Sequence, residues 1–152
     1  MNTPASPASP STSRRPVRVM CVDDNQLLAE AIERQITHDA RFRWVGWVEH
    51  TEHLLQRVRD EQPDVVLLDI DMPGPDPFTL LNEIGNACPN TRALMFSAYV
   101  RQDYIDRAVE MGAWGYVSKN EDMAQVLDAI ERAAAGEFVL TADAINQQSM
   151  IR

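Results

Sequence analysis

The chain has 152 residues, 45% of them apolar, and a formal net charge of −9 at neutral pH. That length fits one domain with a real core and not two large ones. The charge argues against non-specific nucleic-acid binding, since phosphates are repelled; no apolar run is long enough for a transmembrane helix, and the N-terminus lacks a signal peptide's apolar core.

Residues 1–16 hold four of the nine prolines, many Ser and Thr, and nothing to bury, so a disordered tail is expected. Val17–Val22 reads as a strand rich in β-branched and apolar residues. It runs into Asp23–Asp24–Asn25, a natural helix start, and Leu28, Ala31, Ile32 and Ile36 then recur at helical spacing over Gln26–His38. Arg43–Glu49 is a second strand. Thr51 is expected to cap a helix carrying Leu54, Leu55 and Val58, which Pro63 closes. Val65–Leu68 is wholly apolar, as befits a strand covered on both faces. A helix around Phe78–Asn86, a strand Arg92–Ser97 and a helix Gln102–Met111 follow, with Gly112 at the helix end. Trp114–Lys119 contains the fifth strand. Asn120 is expected to cap the last helix, whose Met123, Val126, Leu127 and Ile130 share a face and which Gly136 ends. The folded region is expected over residues 17–136, with 137–152 a tail or the start of a linker. Five βα units imply an α/β domain, one doubly wound parallel sheet with helices on both faces.

In such a sheet, ligands bind beyond the carboxyl ends of the strands. Asp23 and Asp24 follow the first strand there, Asp69 and Asp71 the third, Ser97 ends the fourth, and Lys119 follows the fifth. Several carboxylates in one pocket raise one another's pKa unless a cation lies between them. Oxygen donors with no Cys or His nearby favour Mg²⁺, which readily shares its shell with a phosphoryl oxygen. A lysine and a hydroxyl suit that group's remaining oxygens. The set reads as a magnesium-assisted phosphoryl site with a carboxylate nucleophile.

The motifs "VDDN", "LLDIDMPG", "FSA" and "YVSK", in this order and at these strand ends, resemble the receiver domain of two-component response regulators. The resemblance spans about Val17 to Gly136. It implies a flavodoxin-like fold with five strands in the order 2-1-3-4-5. It implies that Asp69 accepts a phosphoryl group from a phosphohistidine on a sensor histidine kinase or phosphotransfer protein. Asp24, Asp69 and the backbone carbonyl of Asp71 are then direct Mg²⁺ ligands, and Asp23 holds the ion largely through water. Ser97 and Lys119 contact the phosphoryl oxygens. Tyr116 matches the switch aromatic, whose inward turn rearranges the face formed by the fourth helix, fifth strand and fifth helix, toward an output protein or a second copy. Asp71 and Tyr99 stand where the family tunes access of attacking water. Pro77 replaces the family's usual Gly, so a shifted helix start is expected.

Other readings are open on the residues alone. "LLDID" also resembles the DxD signature of haloacid-dehalogenase-type phosphatases, but there DxD comes first and the acidic pair last, the reverse of this chain. "AIERAAAGEFVLTADA" resembles the receiver end in regulators that continue into a LuxR-type helix-turn-helix, so the chain reads as a stand-alone receiver or as the receiver of such a transcription factor. As given, it is not expected to bind DNA or a membrane. His50 and His53 read as surface residues, and Trp44, Trp47 and Trp114 as core or edge packing. Cys21 reads as a small buried hydrophobe, a reactive thiol being the alternative; with Cys88 it makes no disulfide framework, which fits a reducing, cytoplasmic setting.

Overall fold

The computed structural model describes residues 15–141 and 143–145. Within them strands and helices alternate: β1 (Val17–Val22), α1 (Gln26–Thr37), β2 (Phe42–Val48), α2 (Leu54–Glu61), β3 (Val65–Leu68), α3 (Pro77–Ala87), β4 (Arg92–Ser97), α4 (Gln102–Glu110), β5 (Gly115–Ser118), α5 (Met123–Ala134) and β6 (Val139–Leu140). All neighbouring strands pair in parallel, in the order β2-β1-β3-β4-β5-β6. The fold is the expected flavodoxin-like one with a sixth strand added. Val139 N–H donates to the Trp114 carbonyl at 3.0 Å and Thr141 N–H to that of Tyr116 at 3.3 Å, which carries the sheet beyond Gly136. Two residues are too few to show a strand's period. The tail expected over residues 1–16 falls mostly outside the described residues.

Alternation along the strands divides the core. Met20, Val22, Val66, Leu68 and Met95 face α2, α3 and α4 through Leu54, Val58, Leu81, Ile84 and Ile105. Val19, Cys21, Val65, Leu67, Leu94 and Phe96 face α1 and α5 through Ile32, Ile36, Val126, Ile130 and Ala133. All four residues of β3 are fully buried, as its apolar run requires. Cys21 is fully buried too, and burial pushes its thiol well above the ordinary range, so it packs as a hydrophobe. Between β1 and β2 the register slips, with Val19 opposite Trp44 and Met20 opposite Gly46, so Val45 bulges from the outer strand.

Two helix starts follow the expectation closely. The Asn25 side chain caps α1 by accepting from Leu28 N–H at 3.1 Å. Asp76 caps α3, and Pro77 occupies its first turn, where a missing N–H costs nothing. Two differ. Thr51 does not cap α2; His53 precedes that helix in a left-handed conformation (φ 64°) with no side-chain cap. Asp122, not Asn120, caps α5 by accepting from Gln125 N–H at 2.9 Å, because Ser118–Glu121 first makes a turn of its own.

β6 lies against β5 only because residue 115 is glycine. A Cβ there would fall 2.2 Å from the Val139 carbonyl oxygen and 2.9 Å from Leu94 Cδ2. The backbone partner cannot swing aside as a flexible side chain can. Gly115→Ala is expected to lower stability by about 1–3 kcal/mol, the usual cost of overpacking, seen as a lower urea midpoint; an unchanged midpoint counts against this packing.

Candidate functional site

β1 ends at Asp23, fully buried, and Asp24, exposed. Three contacts hold the Asp23 turn. Its N–H donates to the Val48 carbonyl at 3.0 Å, its Oδ1 accepts from Asn25 N–H at 2.9 Å, and its carbonyl accepts from the Trp47 indole Nε1 at 2.6 Å. β3 delivers Asp69, 5% exposed, whose N–H donates to the Val22 carbonyl and whose Oδ1 accepts from Asp71 N–H at 3.3 Å. Two neighbouring parallel strands thus place their terminal carboxylates side by side. One oxygen each from Asp23, Asp24 and Asp69 lie within 4.8 Å of one another.

β4 and β5 complete the edge. Ser97 is fully buried, and its Oγ accepts from Tyr99 N–H at 2.9 Å. Lys119 N–H donates to the Ser97 carbonyl at 2.9 Å, which extends the β4–β5 ladder by one bond and aims the lysine at the carboxylates. Its Nζ lies 2.6 Å from Asp23 Oδ2 and 3.4 Å from Asp69 Oδ1. Tyr116 is 1% exposed, more deeply placed than an ordinary strand tyrosine, and its hydroxyl donates to the Tyr99 carbonyl at 2.5 Å. The Tyr99 backbone therefore touches both Ser97 and Tyr116, while its side chain is 54% exposed. Asp71 is exposed and stands at the rim. The structure brings Asp23, Asp24, Asp69 and Lys119 together, links Ser97 to Tyr116 through the backbone N–H and carbonyl of one residue, Tyr99, and leaves the Asp71 and Tyr99 side chains outside. His50 and His53 are exposed and take no part.

Burial pushes the Asp69 carboxyl up to about 6; Lys119 opposes the rise and Asp23 adds to it. Burial disfavours the Lys119 ammonium, but the Asp23 carboxylate beside it outweighs this and holds its pKa above the ordinary value. Burial also raises the Tyr116 hydroxyl to about 12, so it stays a donor.

The residues fit a hard divalent cation. The donor set is oxygen only. Lys119 approaches Asp23 Oδ2 off the direction of a hydrogen bond, and that buried oxygen has no directed donor. Cavities of about 320 and 370 Å³, lined by Leu81, Thr91 and Trp114 and by Val58, Pro63 and Cys88, open at the amino ends of the strands and hold none of these residues.

Two supports had no reading as site residues in the sequence. Trp47 read only as packing. Thr51 is buried, and its hydroxyl donates to the Pro73 and Pro75 carbonyls at 3.2 and 2.8 Å, tying down the loop after Asp69. Gly74 sits against it at φ 105°, where a Cβ would meet Thr51 Oγ1 at 2.7 Å. In the sequence Thr51 offered only its place shortly after the second strand, which reads equally as a helix cap.

The raised Asp69 pKa fixes a sign. In the folded, metal-free chain Asp69 binds its proton more tightly than in the unfolded chain, so stability falls as pH rises from about 4 through about 6. Asp69→Asn is expected to stabilise the chelator-treated protein at pH 7 by on the order of 1–3 kcal/mol, with the gain vanishing below pH 4. Urea melts at pH 4 and pH 7 in EDTA measure it, and a destabilised pH 7 variant counts against the reading.

A profile of the response regulator receiver domain matches residues 19–131. The Fimbriae Z protein of Salmonella typhimurium is 28% identical over 132 residues, covering 87% of this chain and 63% of that protein. The nitrate/nitrite response regulator protein NarL of Escherichia coli is 27% identical over 130 residues, covering 86% and 60%. The chain thus spans less than two thirds of the length of these relatives. A LuxR-family two-component response regulator from Aurantimonas superposes with a TM-score of 0.82 at 27% identity, over 90% of this chain and 99% of that one. The signal receiver domain of NarL from Mycobacterium tuberculosis gives 0.77 at 27% identity, over 82% and 100%. With the fold, the strand-end carboxylates and the lysine beside them, these matches establish that the chain belongs to the response regulator receiver domain family.

Proposed function

We propose that this receiver accepts one phosphoryl group on Asp69, from a phosphohistidine of a sensor kinase or phosphotransfer protein, in a Mg²⁺-dependent reaction. One observation carries the choice of Asp69. Among the described residues, Asp23 is wholly buried, with Oδ1 held by Asn25 and Oδ2 against Lys119. In Asp69 the Asp71 N–H and Lys119 both meet Oδ1, which leaves Oδ2 free to react. A lone pair of that oxygen attacks phosphorus, the P–N bond breaks, and its electron pair leaves on the imidazole nitrogen. Asp24, Asp69 and the Asp71 carbonyl would hold a Mg²⁺ ion directly and Asp23 largely through water, and the ion would neutralise charge on the phosphoryl oxygens.

The chain's own groups do the rest. Lys119 offers its ammonium to a phosphoryl oxygen once Asp69 carries the acyl phosphate. The Ser97 hydroxyl accepts from Tyr99 N–H, so its proton is available to a second phosphoryl oxygen. Movement of Ser97 pulls on the Tyr99 N–H and so shifts the backbone of that residue, whose carbonyl holds the Tyr116 hydroxyl, and this passes the change to the α4–β5–α5 face. Asp71 and Tyr99, exposed at the rim, tune water access and so the lifetime of the acyl phosphate. The output is a partner protein or a second copy bound through that face. Relatives such as DegU of Brevibacillus brevis, a transcriptional regulatory protein 27% identical over 120 residues, support a second reading in which the domain serves transcription. The coding sequence downstream of Arg152 decides between them.

Incubation with a small acyl phosphate and Mg²⁺ is expected to label one equivalent per chain at Asp69, and EDTA to abolish it. Asp69→Asn is expected to lose labelling while keeping its circular dichroism; acyl phosphate at another aspartate, or many turnovers of a phosphomonoester, overturns the assignment. Lys119→Ala is expected to retain slow labelling but lose the change in self-association or partner binding that phosphorylation causes, read by size-exclusion chromatography. An unaltered response removes Lys119 from the switch.

A further inference from the structure

The lysine at the site is held from a distance. Ser118, the residue before it, is fully buried. Its hydroxyl donates to Asp143 Oδ2 at 2.8 Å and accepts from Asn120 N–H at 3.0 Å, while its own N–H donates to Thr141 Oγ1 at 3.1 Å. Asp143 N–H in turn donates to Glu121 Oε2 at 2.9 Å. The turn that carries Lys119 is therefore tied at both ends, Ser118 and Glu121, to a segment more than twenty residues further along the chain. Next to Asp143, Ala144 is fully buried in the same apolar cluster as Tyr116.

We infer that Asp143 is a positioning residue of the phosphoryl site: it fixes the Ser118–Glu121 turn and so places Lys119 Nζ between Asp23 and Asp69. The inference rests on the reading of Asp69 as phosphoacceptor. A buried hydroxyl must direct its proton somewhere, and Asp143 gives it one direction. With Ser118 Oγ so oriented, its lone pairs face the Asn120 N–H, and the turn closes in one conformation. Without Asp143 the hydroxyl rotates, the turn loosens, and the lysine spends less time at the carboxylates. Two opposite effects follow. Phosphoryl transfer slows, because a cation that should meet the phosphoryl oxygens is displaced. Mg²⁺ binds more tightly, because the ammonium that competes for Asp23 and Asp69 has moved away. A purely structural role lowers rate and metal affinity together.

The test uses the full chain and three proteins: wild type, Asp143→Ala, and Asp143→Asn, whose amide oxygen still accepts from Ser118. Labelling rates with acetyl phosphate at saturating Mg²⁺ are measured beside Mg²⁺ titrations by calorimetry in the absence of donor. For Asp143→Ala we expect a rate about 5-fold lower and a Mg²⁺ dissociation constant about 2–5-fold smaller, with Asp143→Asn restoring both toward wild type. Faster amide exchange at Asn120 in Asp143→Ala alone accompanies this. Wild-type rate and affinity in Asp143→Ala, or a joint loss of rate and Mg²⁺ affinity, overturns the inference. If wild type takes no label, the acceptor reading fails, and the titrations alone decide the positioning role: tighter Mg²⁺ binding in Asp143→Ala supports it, and equal affinities in all three refute it.

Discussion

Repulsion among three carboxylates is the constraint around which this domain is arranged. One oxygen from each lies within 4.8 Å of the others, and like charges at that range repel, most strongly between the buried pair Asp23 and Asp69. Folding alone has no reason to bring them together. Lys119 offsets part of the cost, and it does so unequally, lying closer to Asp23 than to Asp69. At Asp69 burial resists ionisation first, and the Asp23 carboxylate adds to it. Among the described residues, the pocket keeps a surplus of negative charge and one Asp69 oxygen that neither Asp71 N–H nor Lys119 meets.

Holding such a pocket open demands rigid walls, and most of them are backbone. β1 and β3 pair in register up to Val22 and Leu68, so the carboxylates that follow inherit their spacing from the sheet. Trp47 reaches from β2 to grip the Asp23 carbonyl, and Thr51 grips two carbonyls of the loop after Asp69. Neither supplies a charge. Both remove freedom from the chain on which charges ride, which is how a site built at strand ends becomes precise without becoming deep.

The parts of this arrangement that could be read from the sequence are those whose signal is local. The apolar run of β3 and the helical spacing of α1 and α5 needed only a few adjacent residues. The edge at which Asp23, Asp69, Ser97 and Lys119 meet followed from the parallel topology alone. What escaped was of two kinds. Thr51 and Asn120 are residue types that cap helices, and each stands close before one, yet Thr51 serves the distant loop after Asp69 and Asn120 the adjoining turn at Ser118. Propensity cannot tell which backbone groups a polar residue will serve. β6 and the bond between Ser118 and Asp143 depend on approach between distant segments, permitted by the missing side chain at residue 115. No periodicity announces a contact made possible by an absent atom.

The outer strands carry a further consequence. An exposed strand is a template on which another chain can add, and both margins of this sheet are poor templates. β2 is broken by its bulge at Val45 and carries exposed Arg43, and β6 is only two residues long. Growth of the sheet from molecule to molecule is thereby discouraged at each margin. Among the described residues, the surfaces suited to association are the helical faces, which do not offer the open backbone ladder from which fibrils grow.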